Sequence, residues 1–550
     1  MIGKNKKIRI LCLDGATPQL IFPWANSGDL RNFHEILKNG SYGELESVMP
    51  PITASAWASF NTGVGIDKHR IYHFVKITKN YLTNVNVFNN STKKLWNILN
   101  KADVSTGIYN LPMSYPPSKV DGFIVCGWIG APSEGFMHPE YLKNELRSIE
   151  RQFLNGPVKS WIRQHPDKQL EELHNILEME YTKIKYLLKK FDTDLFIAYF
   201  NHTDIIQHFF WKYMDPTHPH YDKSNSKKYK DAIFNYFVDI DKKLVGYLLE
   251  KTNKNDILMI VSDHGFGPLH KKFNVNVWLK KIGLLKIHKK SFKTRSILHK
   301  IFNKINLNQE TLSILLKRYI SKNLINNVPS NLKALIPNPS HKTSLNPLDI
   351  QWEKTKAFAD SSSYYGIYIN LNGKFIKGCV NDVEYERVRE FIIKELYNLY
   401  DPEYKTKVVE KVWKTEDLFP NAVKYTYDFP DIIFQPKDFK YKPYFDLTSD
   451  KVIELDTGIR SGDHRMYGII AIKGEGIKKD HKIKKAHITD IAPTILHMFG
   501  LPIPKYMDGR VLTEIFRPGS EFAKRKVRYT SYEKEILRGR VKRLRAKRKI

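Results

Sequence analysis

The chain has 550 residues, of which 42% are hydrophobic and 13% aromatic, and a formal net charge of +31 at pH 7. This length predicts one large domain with a cap or two to three domains, and the aromatic content argues against a largely disordered chain. The three cysteines, Cys12, Cys126 and Cys379, are far apart, which excludes a disulfide framework and a CxxC metal site.

The first half of the chain alternates apolar strand candidates with amphipathic helices, which predicts an α/β fold with a mostly parallel sheet. The basic start and the apolar run Ile8–Leu13 resemble a signal peptide, but Asp14 interrupts the run, which we interpret as a buried strand. No apolar run approaches the roughly 20 residues of a membrane-spanning helix, so we predict a soluble, cytoplasmic protein. The predicted elements are strands at 8–13, 122–126, 194–200 and 256–261, and helices at 167–190 and 226–251.

Side chains that bind metals follow the ends of several predicted strands. Asp14 comes after the first strand, Asp204 after the third, and the pair Asp263 and His264 after the fourth. Ligands gather beyond the carboxyl ends of parallel strands, so we expect these side chains to lie close together. Asp204 and His208 are spaced i, i+4, which places both on one face of a helix, within reach of one ion.

Thr53 lies in PPITASAWASFNTG, where two prolines end an extended segment and small residues open a helix. One interpretation of this threonine is a helix N-cap. The other is a nucleophile, because the N–H groups and the dipole at a helix N-terminus favour an anion. A threonine hydroxyl needs a metal or a base to activate it. His464, in RSGDHRMYG, is a further candidate metal ligand.

Residues 284–345 do not continue the alternation of apolar strands and helices. They contain basic, amphipathic stretches that end in a Pro- and Asn-rich segment. We interpret them as an inserted lid, and their apolar and basic faces are also compatible with a membrane surface. Strand and helix patterns then return. The later predicted elements are strands at 365–371, 431–434 and 468–472, and helices at 382–399 and 488–499.

Two basic segments carry most of the excess positive charge. Residues 286–322 hold ten Lys or Arg against one Glu, and residues 524–550 hold thirteen against two. Both are compatible with solvated surface, or with attraction to an anionic partner such as a membrane surface or a nucleic acid. Neither segment contains a recognisable nucleic-acid-binding motif.

Seven segments of the chain form a specific pattern: LCLDGATPQL, PPITASAWASFNTGVGIDKHRIYHF, HTDIIQHFFW, VSDHGFGP, SSYYGIYINLNG, SGDHRMYGIIAI and ITDIAPTILHMFGLPIPKYMDGR. In this order and spacing they resemble the alkaline phosphatase superfamily. Within it they are most similar to the prokaryotic form of the type I phosphodiesterase/nucleotide pyrophosphatase family. The resemblance extends to about residue 515 and leaves the C-terminal tail uncovered.

The resemblance implies an alkaline phosphatase-like, three-layer α/β/α fold with a mostly parallel central sheet and an inserted helical or α+β cap. It predicts a catalytic core in two parts, residues 1–283 and 446–520. Between them we expect a basic lid at 284–350 and a cap segment at 351–445. A basic tail follows at 521–550.

The resemblance also implies a hydrolase of phosphodiester or pyrophosphate bonds with two divalent ions, zinc or alternatively manganese. Thr53 is expected to attack phosphorus in line and form a covalent intermediate, which water then hydrolyses. The expected substrate is a phosphate ester or a nucleotide-like small molecule. The implied ligands are Asp14, Thr53, Asp263 and His264 for one ion, and Asp204, His208 and His464 for the other.

One position departs from the family pattern. Eukaryote-like members carry an asparagine about twenty residues after the nucleophile, where it contacts a phosphate oxygen, and this chain has Phe74 there. His73, Lys76 and Arg465 are candidate substitutes for that contact, and the sequence does not choose among them. His69 is a candidate for a supporting structural role.

Three alternatives compete with a diesterase. A sulfatase is disfavoured because no C/S-x-P-x-R motif surrounds Thr53. A phosphomonoesterase or phosphomutase of the same superfamily stays open, although the extra basic residues that these enzymes use are not identifiable. A basic nucleic-acid- or membrane-binding protein on an inactive scaffold is disfavoured because all seven ligand and nucleophile positions are chemically competent. The sequence leaves the oligomeric state open.

Overall fold

The computed structural model describes residues 6–86, 92–127, 135–153, 165–288, 345, 347–447, 449–457 and 459–531. Most of the predicted lid, the basic segment from 289 to 322 and the tail from 532 onward lie outside the described residues. The chain divides into two units. The first comprises Met1–Phe74, Asn86–Leu269 and Thr457–Ile550, and the second Val75–Val85 and His270–Asp456. The predicted domain boundaries stay predictions.

A nine-stranded, mostly parallel sheet forms the centre of the first unit, which confirms the predicted α/β fold class. The strands are β1 (Ile8–Leu13), β2 (Gly40–Glu46), β3 (Thr106–Leu111), β4 (Gly122–Cys126), β5 (Met137–His138), β6 (Leu195–Phe200), β7 (Ile257–Val261), β8 (Tyr467–Gly474) and β9 (His481–His487). Their order in the sheet is β9-β2-β8-β7-β1-β6-β3-β4-β5, and β7, β1, β6, β3 and β4 run parallel to one another.

The central strands β1, β6 and β7 are buried along their whole length. Their continuous apolar runs are typical of parallel strands that are covered on both faces. Ile8 of β1 is paired with the first residue of β6 on one side and of β7 on the other. The three strands therefore end at the same edge of the sheet, where Asp14, Asp204 and Asp263 follow them.

Helices cover the sheet of the first unit, and the helix predicted at 167–190 is present as Pro166–Lys190. Among the described residues, no helix combines the length and hydrophobicity that a membrane span requires. The α-helices of this unit are Pro18–Asn26, Arg31–Lys38, Thr53–Thr62, Ile66–His69, Leu95–Lys101, Leu142–Phe153, Pro166–Lys190, His202–Met214, Lys223–Tyr229, Ala232–Ile240, Gly246–Lys251, Ile491–Met498 and Glu521–Lys524.

The helical stretch predicted at 226–251 is present, but it is not one regular helix. The segment forms three α-helices, and the last two are joined by a π-helical turn, Asp241–Val245. The Asp241 carboxylate accepts hydrogen bonds from the backbone N–H groups of Asn32 and Phe33, at 3.0 and 2.8 Å. These contacts to the first turn of a neighbouring helix are tertiary, so the apolar spacing of the segment does not reveal them.

The second unit contains a four-stranded antiparallel sheet and a three-stranded sheet. The first consists, in order, of Ala357–Phe358, Gly366–Ile369, Ile432–Pro436 and Val409–Lys414, and the helix Asp382–Asn398 packs against it. The second consists of Tyr441–Tyr444, Lys271–Asn274 and Ile453–Leu455. Other elements are the hairpins Val75–Ile77 with Thr83–Val85 and Tyr400–Asp401 with Thr406–Lys407, and the helices Val275–Lys281 and Thr415–Leu418.

Candidate metal centre and nucleophile

The first group of candidate ligands is buried at the carboxyl ends of β1 and β7. Asp14 follows β1, and Asp263 and His264 follow β7. His264 Nε2 lies 3.2 Å from Asp14 Oδ1 and 3.3 Å from Asp263 Oδ2. Two ligands of a tetrahedral zinc ion are about 3.3 Å apart when each bond is roughly 2.0 Å long. The spacing of this group therefore fits one shared ion.

The second group combines a helix with a short hairpin. Asp204 and His208 lie one turn apart on the helix His202–Met214, and His208 Nε2 is 3.3 Å from Asp204 Oδ2. His464 lies on the strand Gly462–Arg465, and its Nε2 is 3.1 Å from Asp204 Oδ1. The rings of His464 and His264 stack with centroids 3.7 Å apart, so the two groups are adjacent.

All three imidazoles are oriented by a backbone carbonyl. The Nδ1 atoms of His208, His264 and His464 lie 2.7, 3.0 and 2.9 Å from the carbonyl oxygens of Gly462, Gly265 and Pro51. A carbonyl accepts only, so Nδ1 carries the proton and Nε2 presents a lone pair. This outer hydrogen bond is typical of histidines that bind metals.

Three carboxylate oxygens in the two groups are buried and have no hydrogen-bond donor among the described residues: Asp14 Oδ1, Asp204 Oδ1 and Asp263 Oδ2. Each faces an Nε2 atom, so two acceptors oppose each other unless a proton or a cation lies between them. A buried carboxylate without a partner is strongly unfavourable. The residues therefore fit two divalent cations that take nitrogen and oxygen ligands.

The pKa shifts of the ion-free protein follow from this charge pattern. Burial, and then the nearby Asp14 carboxylate, raise the pKa of Asp263 well above its usual value. Burial lowers the pKa of His264 and His464, but Asp263 and Asp204 outweigh it, and both pKa values are raised. These shifts favour protons on Asp263, His264 and His464, and a cation bound in their place would displace them.

Thr53 is the first residue of the helix Thr53–Thr62, and Ile52 occupies the N-cap position without a side-chain hydrogen bond. The N-cap interpretation of Thr53 is therefore wrong. Its Oγ1 lies 3.5 Å from His264 Nε2 in the first group. The carbonyl of Pro51, two residues earlier, contacts His464 of the second group. The hydroxyl thus lies beside the first group, and the backbone that leads to it contacts the second.

Gly15 is required by the close packing behind the first group. Its N–H donates to Asp263 Oδ1 at 3.2 Å, and its φ of +66° lies in the left-handed region. A Cβ at this position would lie 2.9 Å from the ring of Phe266. Only glycine combines this conformation with this space.

Arg465 contacts the hairpin that carries His464. Its guanidinium donates to the carbonyls of Asp463 and His464 at 3.2 and 2.9 Å, and to that of Pro268 at 2.6 Å. Pro268 lies on the strand Gly265–Pro268, which pairs antiparallel with Gly462–Arg465. These contacts favour a role of Arg465 in holding the hairpin that carries His464, and its contact with phosphate stays a prediction.

We expect Arg465→Ala to raise the metal concentration needed for half-maximal activity by about 10-fold, because residues that hold a ligand usually affect metal affinity by that order. The KM for the substrate should change less than about threefold in the same variant. Activity titrations with Zn²⁺ and with substrate separate the two effects. Arg517→Ala, which removes an exposed ion pair with Glu475, is the control. A higher KM with an unchanged metal requirement would instead identify Arg465 as a phosphate contact.

The predicted residues His69 and His73 belong to neither ligand group. His69 is buried, with Nε2 2.9 Å from Ser59 Oγ on the helix that begins at Thr53, and its Nδ1 accepts from the Ile71 N–H at 3.0 Å. This supports the predicted structural role. Phe74, after the half-exposed His73, packs on a small apolar cluster that includes Ala54.

Burial lowers the pKa of His69 to about 3. The unfolded chain, with an ordinary value of about 6.5, therefore binds a proton that the native protein excludes, and stability falls as the pH drops below about 6.5. His69→Gln cannot titrate, so its stability deficit should shrink by about 1.4 kcal/mol between pH 7.5 and 5.5. Urea unfolding at both pH values measures this, with His73→Gln as the control. A deficit independent of pH would contradict the buried neutral imidazole.

The fold and the site together define an α/β protein with two adjacent groups of candidate metal ligands beside a threonine hydroxyl. The family model described as type I phosphodiesterase/nucleotide pyrophosphatase matches residues 10–465, a range that includes all seven predicted ligand and nucleophile positions. The chain belongs to this family, which confirms the resemblance seen in the sequence, and it is a hydrolase of phosphoric ester or acid-anhydride bonds. No curated protein matches the chain in sequence.

Several solved structures are similar to this chain. One is an inactive variant of murine ectonucleotide pyrophosphatase/phosphodiesterase 5 in complex with AMP, at 13% identity over 90% of this chain and 96% of that chain, with a TM-score of 0.45. Another structure of the murine protein matches at 13% identity over 93% and 100%, with a TM-score of 0.45. The human protein matches at 14% identity over 92% and 97%, with a TM-score of 0.43.

Proposed function

We propose that this protein is a phosphodiesterase or nucleotide pyrophosphatase that uses two divalent ions, zinc or manganese, and Thr53 as its nucleophile. The observation that carries the proposal is the pairing of orphaned carboxylate oxygens with Nε2 lone pairs in two adjacent groups, beside a threonine hydroxyl. The proposed ligands are Asp14, Asp263 and His264 for the first ion, with Thr53 beside it, and Asp204, His208 and His464 for the second.

Two divalent ions bound in these groups would lower the pKa of the Thr53 hydroxyl and offset charge on the phosphate oxygens. Thr53 Oγ forms a bond to phosphorus, and the bond from phosphorus to the leaving-group oxygen breaks. The helix N-terminus at Thr53 favours the anionic phosphoryl group through its N–H groups and dipole. A water oxygen then attacks phosphorus from the opposite side, and the bond to Thr53 Oγ breaks, which restores the hydroxyl.

Membership of the family supports a nucleotide-like substrate. Phe74 changes the expected contact between the protein and the phosphate of that substrate. An aromatic ring stands where eukaryote-like members have an asparagine, so no amide from this position contacts the phosphate. The anionic partner predicted for residues 286–322 and 524–550, like the cytoplasmic location, stays a prediction.

The test is hydrolysis of bis-p-nitrophenyl phosphate against p-nitrophenyl phosphate by chelator-treated protein to which Zn²⁺ or Mn²⁺ is returned. Preference for the diester supports the proposal. Preference for the monoester would move the assignment to a phosphatase or mutase of the same superfamily. If neither of these esters nor a nucleotide such as ATP is hydrolysed with either metal, the result would favour an inactive scaffold. Metal analysis of the purified protein identifies the ion.

A further inference from the structure

Tyr199 lies near the carboxyl end of β6 within an apolar run, and it is only 4% exposed. β6 pairs in parallel with β1, and the register places Tyr199 opposite Cys12, two residues before Asp14. Side chains two residues apart on a strand point to the same face of the sheet. Tyr199 therefore extends along this face toward Asp14, and its hydroxyl donates a hydrogen bond to Asp14 Oδ2.

The two carboxylate oxygens of Asp14 have different surroundings. Oδ2 accepts from Tyr199, whereas Oδ1 has no donor among the described residues and lies 3.2 Å from His264 Nε2. The backbone of Asp14 is also held, because its N–H donates to the Phe200 carbonyl at 3.1 Å and its carbonyl accepts from Thr203 Oγ1 at 2.6 Å. A carboxylate fixed in this way presents one oxygen to the first ligand group.

The aromatic ring of Tyr199 has a second contact. It packs edge-on against Trp57, with centroids 5.5 Å apart and an angle of 82° between the ring planes. Trp57 lies one turn after Thr53 on the same helix. One side chain thus contacts both a candidate metal ligand and the helix that carries the candidate nucleophile.

We propose that Tyr199 is a positioning residue that sets the affinity of the first ligand group for its divalent ion. It does so by holding Asp14 in the orientation that presents Oδ1 alone. The inference rests on the proposed function, because it requires an ion in that group. Without the phenol hydroxyl, Asp14 is free to rotate and its buried Oδ2 has lost its donor. Outer partners of this kind typically change metal affinity about 10- to 100-fold.

Tyr199→Phe tests the inference, since it keeps the ring against Trp57 and removes only the hydroxyl. Zn²⁺ binding is measured by calorimetry on chelator-treated protein in two backgrounds, each of which leaves one ligand group intact. In Asp204→Ala, which keeps the first group, adding Tyr199→Phe should weaken Zn²⁺ binding by about 10- to 100-fold. In Asp263→Asn, which keeps the second group, the same addition should change the affinity less than about threefold.

Tyr236→Phe is the matched control, because its hydroxyl is also buried and donates to the Leu173 carbonyl at 3.1 Å, away from the ligand groups. An unchanged affinity in the Asp204→Ala background would overturn the inference and leave the proposed function standing. Equal weakening in both backgrounds would also overturn it, because the effect would then be a general loss of structure. If the wild-type protein binds neither Zn²⁺ nor Mn²⁺, the proposed function fails first and the inference fails with it.

Discussion

Thr53→Ala is expected to lower the rate of diester hydrolysis by at least about 10³-fold, the order of loss seen when a covalent nucleophile is removed. The substitution deletes the hydroxyl that lies 3.5 Å from His264 Nε2. It removes no helix cap, because Ile52 occupies that position. Thermal stability should therefore change little, and two ions should still bind. Steady-state kinetics and metal analysis on the same preparation check both halves of this result.

Two further variants test whether the loss of activity in Thr53→Ala is due to the missing hydroxyl. Thr53→Ser keeps a hydroxyl and should retain measurable turnover. Thr62→Ala makes the same change at the other end of the helix, where the hydroxyl donates to the Ala58 carbonyl, and should stay active. Mass spectrometry of wild-type protein quenched during turnover should detect the phosphoryl ester on Thr53. Thr53→Ala protein with near-normal activity would show that water attacks the substrate directly.

The ligands at the strand ends could be predicted from the sequence because their position depends only on the neighbouring residues in the chain. A polar residue that ends a buried apolar run, as Asp14 and Asp263 do, lies at the carboxyl edge of a parallel sheet whatever the rest of the chain does. The i, i+4 pair Asp204 and His208 is equally local. The placement of His464 is not, since it depends on pairing between two strands about 200 residues apart, Gly265–Pro268 and Gly462–Arg465. The family resemblance supplied that partner.

The contact of Tyr199 with Asp14 could not be predicted from the sequence for a related reason. A tyrosine inside LFIAYF is indistinguishable from core by composition, and only the register of β6 on β1 shows that its hydroxyl reaches Asp14. The π-helical turn within the helical stretch predicted at 226–251 is likewise not visible in the apolar spacing, since Asp241 there accepts hydrogen bonds from another helix. Contacts between elements that are distant in the chain are therefore the features that local sequence patterns do not reveal.

Asp263→Asn is expected to have opposite effects on the protein without and with metal. Without a cation, burial and Asp14 raise the pKa of Asp263 well above its usual value. A raised native pKa means that the ion-free protein loses stability as the pH rises above about 3.9, so the penalty is present at pH 7. Asparagine keeps an oxygen for the Gly15 N–H and carries no charge. The thermal midpoint in chelator should rise by about 2 °C or more.

The same variant should bind one ion instead of two and lose at least about 100-fold in activity, because it lacks a ligand rather than an outer partner. Calorimetric scans at pH 7 with chelator and with Zn²⁺ compare the two states. Asp401→Asn is the matched control, since that buried carboxylate accepts hydrogen bonds from the Lys271 ammonium and the Tyr441 hydroxyl, and its loss should destabilise the protein in both conditions. A lower midpoint for Asp263→Asn in chelator would show that the Asp263 carboxylate stabilises the fold by itself, and that the first group was not built around a cation.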